Sequence, residues 1–437
     1  MTPARDHRAA GQEPRDGPLE RVISRRMLTF FVIGDVLGAG IYALVGEVGA
    51  KTGGAIWAAF LLALLLALFT AFAYAELVTK YPRAAGAALY VNRAFGRPFF
   101  TFMVAFAVVA SGLASAATIA RAFGGDYLSA FVSLPVAATG IAFIIAISLI
   151  NLRGIRESMR FNFVLTTIEV AGLLLVIVIG AAALGDGLGD PGRALEFRDG
   201  SSVLVALLGG AGLAFFALLG FEDSVNLAEE TRRPRVDFPW ALFGGLIVAG
   251  VIYLLVTVIA SMVVPTGTLA SSDGPLLEVT SAGPLAVPDR VFSLIALFAL
   301  ANGALINLIM ASRLLYGMAG EGIIPKALGR VHPSRHTPWV AITVTAGATV
   351  VLLLTGEIGE LADTTVLLLL IVFASVNVSV LVLRKDTVAQ PHFRSPTVMP
   401  VIGMLVSVAL MTTKDAQTFA RAGILLLVGG LLWMVSR

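Results

Sequence analysis

The sequence contains no cysteine and only four histidines among its 437 residues. Without cysteine the chain can form neither a disulfide bond nor a thiolate ligand or nucleophile. The histidines lie in polar connecting segments, at His7, His332, His336 and His392. The apolar segments therefore have no histidine for a metal site or a proton relay, and we expect neither a metal nor a cofactor.

Charged residues are also scarce, since 14% of the residues are charged and 57% are hydrophobic. So few charges cannot cover so much apolar surface in a soluble domain, and the composition indicates an integral membrane protein. The net charge of +3 is explained by arginine-rich loops, so we expect no nucleic-acid partner. The sequence has no glycine-rich nucleotide-binding loop and no large soluble domain, which argues against an enzyme and against an ATP-driven pump.

Long apolar runs are abundant, and a helix needs about 20 apolar residues to cross the hydrocarbon core of a bilayer. Twelve segments of the chain fit this requirement, of which the eleventh is short. The predicted spans 1 to 12 are residues 27–50, 54–78, 99–120, 134–152, 161–184, 203–228, 239–264, 291–319, 338–355, 361–383, 397–412 and 418–436.

The lysines and arginines predict the orientation of these spans. If the N-terminus is cytoplasmic and the loops alternate, 24 of the 31 basic residues fall on the cytoplasmic side and 7 on the other. This bias follows the positive-inside rule, and adding or removing one span in the middle would scramble it. We predict a multi-pass protein of the cytoplasmic membrane, surrounded by lipid, with both termini cytoplasmic and a polar N-terminal tail at residues 1–26.

Glycine interrupts two of the predicted spans at matching places. The interruptions read GDVLGAGIY at residues 34–42 in span 1 and GGAGLAFFALLGFED at residues 209–223 in span 6. Glycine disfavours a helix interior, and paired interruptions indicate discontinuous helices around a midplane binding site. Spans 1–5 and 6–10 each open with a broken helix, and because five is odd the two units must be inverted relative to each other.

The predicted fold is therefore all-α and membrane-integral, with twelve helices. Residues 27–184 form a first five-helix repeat and residues 201–385 form a second, inverted repeat. Residues 397–436 add two helices outside the repeats.

The first interruption predicts a site for a carboxylate. Free N–H groups of Ala39, Gly40 and Ile41 and the positive end of the outer half-helix dipole can bind an anion. Gly38 and Gly40 have no side chain and so allow a ligand to approach the backbone closely. The inner half-helix is expected to end near Ile33 and Gly34, which would free carbonyl groups there.

The second interruption predicts a site for an ammonium group. Helix breakage here frees the carbonyl groups of Phe216, Ala217 and Leu218, close to Gly220, and these oxygens can accept hydrogen bonds. An anion receptor beside an ammonium receptor suits an α-amino acid. The alternative is that these glycines only allow helices to pack tightly.

Four segments in the same order resemble the amino acid–polyamine–organocation superfamily of transporters. They are residues 34–42, AYAELVTKYPRAAGAALYVNRAFG at 73–96, FFALLGFEDSVNLAEETRRPRVDFP at 215–239 and NGALINLIMASRLLYGMAGEGIIP at 302–325. The chain is most similar to bacterial relatives of the cationic amino acid transporters.

The resemblance implies two inverted five-helix repeats and amino acid transport by alternating access. It implies that the substrate carboxylate binds at residues 38–41 and that its amine binds near Ile33 and Phe216. It also implies that Phe216 and Phe221 contribute to the gates over the substrate.

Acidic residues at membrane depth are costly and are functional candidates by default. Glu169 lies in span 5, where members of the resembled family often have lysine, and a carboxyl group can donate a hydrogen bond only when it is protonated. We hypothesise that Glu169 carries a coupling proton or pairs with a cationic substrate or ion; a neutral structural role is the alternative. Asp35 is a second coupling candidate, or pairs with cytoplasmic arginines, whereas Glu222 fits a structural role at a helix start.

The sequence thus predicts a secondary active transporter of amino acids, proton-coupled or exchanging. Sodium coupling is less favoured, because the middle of span 8 has no serine or threonine. Side-chain selectivity is expected from spans 3, 6, 8 and 10, including the small-residue segment at 111–118. The alternatives are a polyamine or organic-amine transporter of the same fold and, from another class, an ion channel.

Overall fold

The structure is a computed structural model that describes residues 21 and 23–435, apart from 84–85, 154, 201, 273, 286, 321–323, 334 and 336. Most of the predicted tail at residues 1–26 lies outside the described residues. Within them the chain is helical throughout, with no β-strand beyond an isolated bridge between Ile23 and Thr231. The predicted all-α class is confirmed.

The described residues form seventeen α-helices and four 3₁₀ helices. The α-helices are α1 (Arg25–Leu37), α2 (Ala39–Thr52), α3 (Ile56–Lys80), α4 (Gly86–Phe95), α5 (Pro98–Gly124), α6 (Asp126–Ser129), α7 (Val136–Asn151), α8 (Ile155–Gly185), α9 (Val203–Ala214), α10 (Pro234–Val263), α11 (Thr266–Ser271), α12 (Pro275–Ala282), α13 (Asp289–Gly320), α14 (Trp339–Leu353), α15 (Ile358–Leu383), α16 (Val398–Met411) and α17 (Ala416–Val435). The 3₁₀ helices are Pro191–Leu195, Phe215–Leu218, Asp223–Leu227 and Lys326–Gly329.

Local sequence explains where several of these helices begin. The side chain of Ser24 accepts a hydrogen bond from the N–H of Met27 and caps α1, as serine does at many helix starts. Proline occupies the first position of α5 and of α10, where its missing N–H has no cost. Glu357 and Glu360 form a capping box at the start of α15, which satisfies two backbone donors.

Nine described helical segments are long and apolar enough to cross a membrane. They are Arg25–Thr52, Ile56–Lys80, Pro98–Ser129, Asn162–Gly185, Val203–Leu227, Pro234–Val263, Asp289–Gly320, Ile358–Leu383 and Ala416–Met434. Three shorter apolar helices, α7, α14 and α16, coincide with predicted spans 4, 9 and 11. At 14 to 16 residues each they rise only about 21–24 Å.

Contacts between helix ends define two sides of the molecule. We call the side where α1 begins the near side and the side where α2 ends the far side. On the near side, Arg25 pairs with Asp237 at the start of α10 (2.9 Å), and Lys80 donates to the carbonyl of Leu383 (2.5 Å). On the far side, Lys51 pairs with Asp363 of α15 (3.2 Å).

Glycines of the long continuous helix α10 let it pack closely against its neighbours. A Cβ atom at Gly245 of α10 would lie 2.4 Å from Val32 of α1, and one at Gly250 would lie 2.4 Å from Leu64 of α3. Membrane helices associate through such close contacts, because lipid supplies no hydrophobic drive between them. The continuous helix α10 therefore fixes the position of α1.

Candidate binding site at two broken helices

The interruption of span 1 lies at Gly38, between the end of α1 at Leu37 and the start of α2 at Ala39. No side chain caps the start of α2, and the first N–H groups of a helix have no partner within it. The predicted end of the inner half-helix near Ile33 and Gly34 was wrong. A Cβ atom at Gly34 would lie 2.2 Å from Thr166 Oγ1, so this glycine serves the packing of α1 against α8 instead of ending the helix.

The interruption of span 6 lies later in the chain than the predicted residues 209–223, because α9 continues to Ala214 and the next α-helix begins at Pro234. After α9 ends, the 3₁₀ helix Phe215–Leu218 leads to an extended Leu219 and then to Gly220, whose φ of +119° favours glycine. The N–H of Gly220 donates to Glu222 Oε2 (2.9 Å), so Glu222 stabilises the turn. The chain continues as the 3₁₀ helix Asp223–Leu227, whereas an α-helical inner half was expected.

The two interruptions touch each other. A Cβ atom at Gly40 would lie 2.5 Å from the Cα of Ala217, and one at Gly220 would lie 2.9 Å from the Asp35 backbone. These contacts leave no room for a side chain at either glycine. The backbone of each broken segment therefore forms part of the wall around the other.

Tyr253 of α10 connects the two broken segments through its hydroxyl group. Its oxygen lies 2.5 Å from the carbonyl oxygen of Val36 and 3.1 Å from that of Ala217. One hydroxyl has a single proton to donate, so the two carbonyls share it. The sequence analysis missed this residue, although a tyrosine inside an apolar run signals a hydroxyl group that needs a buried partner.

A cavity of about 960 Å³ adjoins both interruptions. Of the predicted binding residues, six line it, namely Gly38, Ala39, Gly40, Phe216, Ala217 and Gly220. The others do not line it, namely Ile33, Gly34, Ile41, Leu218 and Phe221. The Phe221 ring packs instead in the core, 5.9 Å from that of Tyr74 and 5.7 Å from that of Phe373.

The rest of the cavity wall comes from α5, α13 and α15, which correspond to the predicted spans 3, 8 and 10. Its residues include Ser111, Gly112 and Ser115 of α5, Gly303 and Asn307 of α13, and Thr365 and Leu369 of α15. The cavity extends to the near side, where exposed Tyr316 and Val331 line it.

Ion pairs join the helices on the far side of the cavity. Asp363 pairs with Lys51 of α2 and with the buried Lys414, which also donates to the carbonyl of Gly212 in α9 (2.9 Å). We call Lys51, Asp363 and Lys414 the far-side ion cluster. Burial lowers the pKa of Lys414, and the Asp363 carboxylate opposes this effect. The helix α2, which follows the first break, and the helix α9, which precedes the second, are thus both linked to α15.

Two acidic groups near the breaks have carboxylate oxygens without a hydrogen-bond partner among the described residues. Asp35 lines the cavity, and its Oδ2 is buried and unpaired. Glu169 of α8 is fully buried and does not line the cavity. Neither of its carboxylate oxygens has a partner with good hydrogen-bond geometry among the described residues, and the Asn302 side chain lies close to them. Within the described part of the chain, no group of three or more acidic or histidine side chains is placed to hold a metal ion.

Glu169 lies where α8 meets α13 and α2. Asn162 of α8 donates to Asn302 Oδ1 (3.0 Å), and Asn302 donates to Thr166 (3.4 Å). The hydroxyl of Tyr42 donates to the backbone carbonyl of Glu169 (3.1 Å). The charged form of an unpaired carboxylate is costly in such surroundings.

Comparison with known proteins places these features in a family. The family model described as amino acid permease matches residues 23–426. The branched-chain amino acid permease BcaP of Bacillus subtilis is 27% identical over 440 residues, covering 95% of this chain and 93% of that protein. The methylthioribose transporter of the same organism is 28% identical and covers 95% of this chain and 93% of that protein. The chloroplastic cationic amino acid transporter 9 of Arabidopsis thaliana is 28% identical and covers 69% of this chain and 56% of that protein.

Proposed function

The chain belongs to the amino acid permease family, and from that premise we propose that it moves an amino acid across the membrane by alternating access, as a secondary active transporter. It is a multi-pass membrane protein and a transporter, not an enzyme. The observation that supports the mechanism is that two helix interruptions meet at one cavity. There the uncapped N–H groups at Ala39 and Gly40 suit a carboxylate. The carbonyl oxygens of Phe216 and Ala217 accept from the N–H of Leu219 and the hydroxyl of Tyr253, and the second lone pair of each suits an ammonium group.

Counterflow in proteoliposomes tests this function. Vesicles loaded with unlabelled amino acid should take up the same labelled amino acid transiently, without ATP. A channel would equilibrate the label without this overshoot. Failure of all twenty amino acids to give exchange would contradict the proposal.

A polyamine or organic-amine transporter of the same fold is the second candidate. Asp35 favours it, because an unpaired carboxylate oxygen in the cavity wall suits a second amine of the ligand. Competition between an amino acid and its decarboxylated amine separates the two functions. We expect the amino acid to compete better, since only it has a carboxylate for the start of α2.

The proposed topology has twelve spans, two inverted repeats and both termini in the cytoplasm. The three short apolar helices supply spans 4, 9 and 11, and the near side is then the cytoplasmic side. We propose an inward-facing state, because the cavity reaches the near side and the ion cluster joins helices on the far side.

Glu169 is the proposed site of the coupling proton. Its two carboxylate oxygens are buried without a partner of good hydrogen-bond geometry among the described residues, and binding a proton removes the cost of an unpaired charge. Asp35 lines the cavity, has a buried Oδ2 without a partner among the described residues, and is the second candidate. We expect Glu169→Gln to remove the dependence of uptake on a pH gradient while exchange continues, and an unchanged gradient dependence would exclude Glu169 as the carrier.

A further inference from the structure

The cavity has a polar wall away from the helix interruptions, where α5 meets α13 and α15. Gly112 of α5 faces Asn307 of α13, and a Cβ atom at Gly112 would lie 3.7 Å from Asn307 Oδ1. Both residues line the cavity, so the Asn307 amide borders open space there. Ser111 and Thr365 line the cavity beside it, with the Thr365 hydroxyl 3.5 Å from the Ser111 carbonyl oxygen. We call Ser111, Asn307 and Thr365 the polar wall.

Backbone hydrogen bonds fix which atoms of the polar wall are available to a ligand. Asn307 Nδ2 lies 2.9 Å from the carbonyl oxygen of Gly303. Only an N–H group can bond to that oxygen, so the orientation of the amide follows from its surroundings. The amide therefore presents Oδ1, with one remaining N–H, to the cavity.

The two hydroxyl groups of the polar wall also donate to backbone carbonyls. Ser111 Oγ donates to Val108 (2.8 Å), and Thr365 Oγ1 donates to Leu361 (3.1 Å). A hydroxyl whose single proton is engaged can offer only lone pairs to a ligand. The polar wall therefore has three oxygen acceptors and a single free N–H, and Asn307 is the most exposed of its three residues, since Ser111 and Thr365 are buried.

The charged side chains that line the cavity do not restore the balance near the breaks. Asp35 and Glu222 line it there and add carboxylate oxygens. The guanidinium groups that line it, Arg313 and Arg335, belong to the near-side end of α13 and the connection after it. A substrate seated at the breaks with an aliphatic side chain would leave these oxygens without donors, which is costly once water is excluded.

We propose that Asn307 is a specificity-determining residue, and that with Ser111 and Thr365 it selects amino acids whose side chains end in a hydrogen-bond donor. This inference rests on the proposed amino acid transport. It favours ammonium, guanidinium, amide and hydroxyl side chains over branched aliphatic ones of the same size. The preference would differ from that of the relative named as a branched-chain amino acid permease, since branched-chain side chains have no hydrogen-bond donor.

Competition between side chains of matched size tests the inference in proteoliposomes. The pairs are threonine with valine, glutamine with methionine, and lysine with norleucine, each competing against one labelled substrate. Wild type should prefer the donor-bearing member, by about 5-fold in the neutral pairs and about 10-fold or more with lysine. Asn307→Leu should bring the ratios towards one, whereas Asn307→Asp, which keeps an acceptor oxygen, should retain the preference.

Ser293→Ala is the matched control on the same helix. Ser293 is fully buried, its hydroxyl has no partner among the described residues, and it does not line the cavity. We expect its ratios to equal those of wild type. Ser111→Ala is the second test variant, and it should lower the ratios less than Asn307→Leu because Ser111 is less accessible.

The outcomes separate this inference from the proposed function. If wild type transports amino acids without preferring the donor-bearing members, or if Asn307→Leu slows both members of each pair equally, the inference is wrong and the proposed function stands. If no amino acid exchanges at all, the proposed function fails and the inference with it. If Asn307→Leu does not fold, the competition ratios of the wild type still test the inference.

Discussion

At the scale of the residue, glycine and tyrosine decide how the two interrupted helices meet. Gly40 and Gly220 allow backbone to approach backbone, and Tyr253 supplies the proton that two opposing carbonyls share. The glycines act because they have no Cβ atom, and the tyrosine acts through one hydroxyl group. Single substitutions there should therefore have large effects.

Gly40→Ala should abolish transport. The added methyl group would lie 2.5 Å from the Cα of Ala217, a contact that only backbone movement can relieve, at a cost of roughly 1–3 kcal/mol. Gly209→Ala is the control, because a Cβ atom there meets nothing within 4 Å and alanine favours a helix. The effects of the two substitutions are compared by uptake and by thermal stability of the purified variants. If both substitutions have the same effect, the close contact between Gly40 and Ala217 does not explain the loss.

Tyr253→Phe should reduce both stability and transport. It leaves the carbonyls of Val36 and Ala217 without their shared donor, which costs about 1 kcal/mol in a membrane protein. If substrate binding is weakened by the same free energy, uptake falls roughly five-fold. Tyr90→Phe is the control, since the buried Tyr90 hydroxyl has no partner among the described residues. Thermal unfolding and uptake should be unchanged in Tyr90→Phe; a loss as large as that of Tyr253→Phe would refute the bridging role.

At the scale of the element, the far-side ion cluster joins α2, α9 and α15. Lys414 is almost completely buried, and its side chain bonds to both Asp363 and the carbonyl of Gly212. Removing one member of a buried charged cluster leaves the others unpaired and is strongly destabilising. The closed far side should therefore depend on Asp363.

Asp363→Asn should shift the protein towards a state open on the far side. Because the chain has no cysteine, Ile119→Cys provides a single reporter in the cavity wall. A membrane-impermeant maleimide added from the far side should label it several-fold faster in the Asp363→Asn background. Glu360→Gln is the control, because its pair with Arg421 is partly exposed and such pairs contribute little. If Asp363→Asn labels no faster than this control, the far-side ion cluster does not hold the far side closed.

At the scale of the whole molecule, the count and direction of the spans can be tested with the same cysteine-free background. Leu188 and Val331 are exposed and lie in connections on opposite sides of the proposed topology. Leu188→Cys should react with an impermeant reagent on intact cells, and Val331→Cys only after permeabilisation. Labelling of both from outside would overturn the twelve-span arrangement.

Particular elements show how far the sequence could predict this structure. The break at Gly38 was predictable because a glycine cluster in an apolar run interrupts a helix. The end of α1 was not, since Gly34 looks the same in sequence whether it ends a helix or packs against Thr166. The 3₁₀ conformation of Asp223–Leu227 was missed for a similar reason: the Glu222 bond to Gly220 that shapes the turn leaves no periodic signal.

The sequence by itself determined that this is a helical membrane protein with two interrupted helices, because hydropathy and glycine content act locally along the chain. Tertiary structure alone decided that Tyr253 bonds to both interruptions, that Phe221 packs in the core, and that Gly112 borders the Asn307 amide. Those outcomes depend on how helices distant in the chain are packed and rotated against one another. Each helix could bury its apolar surface in many orientations, and only the mutual fit of all of them selects one.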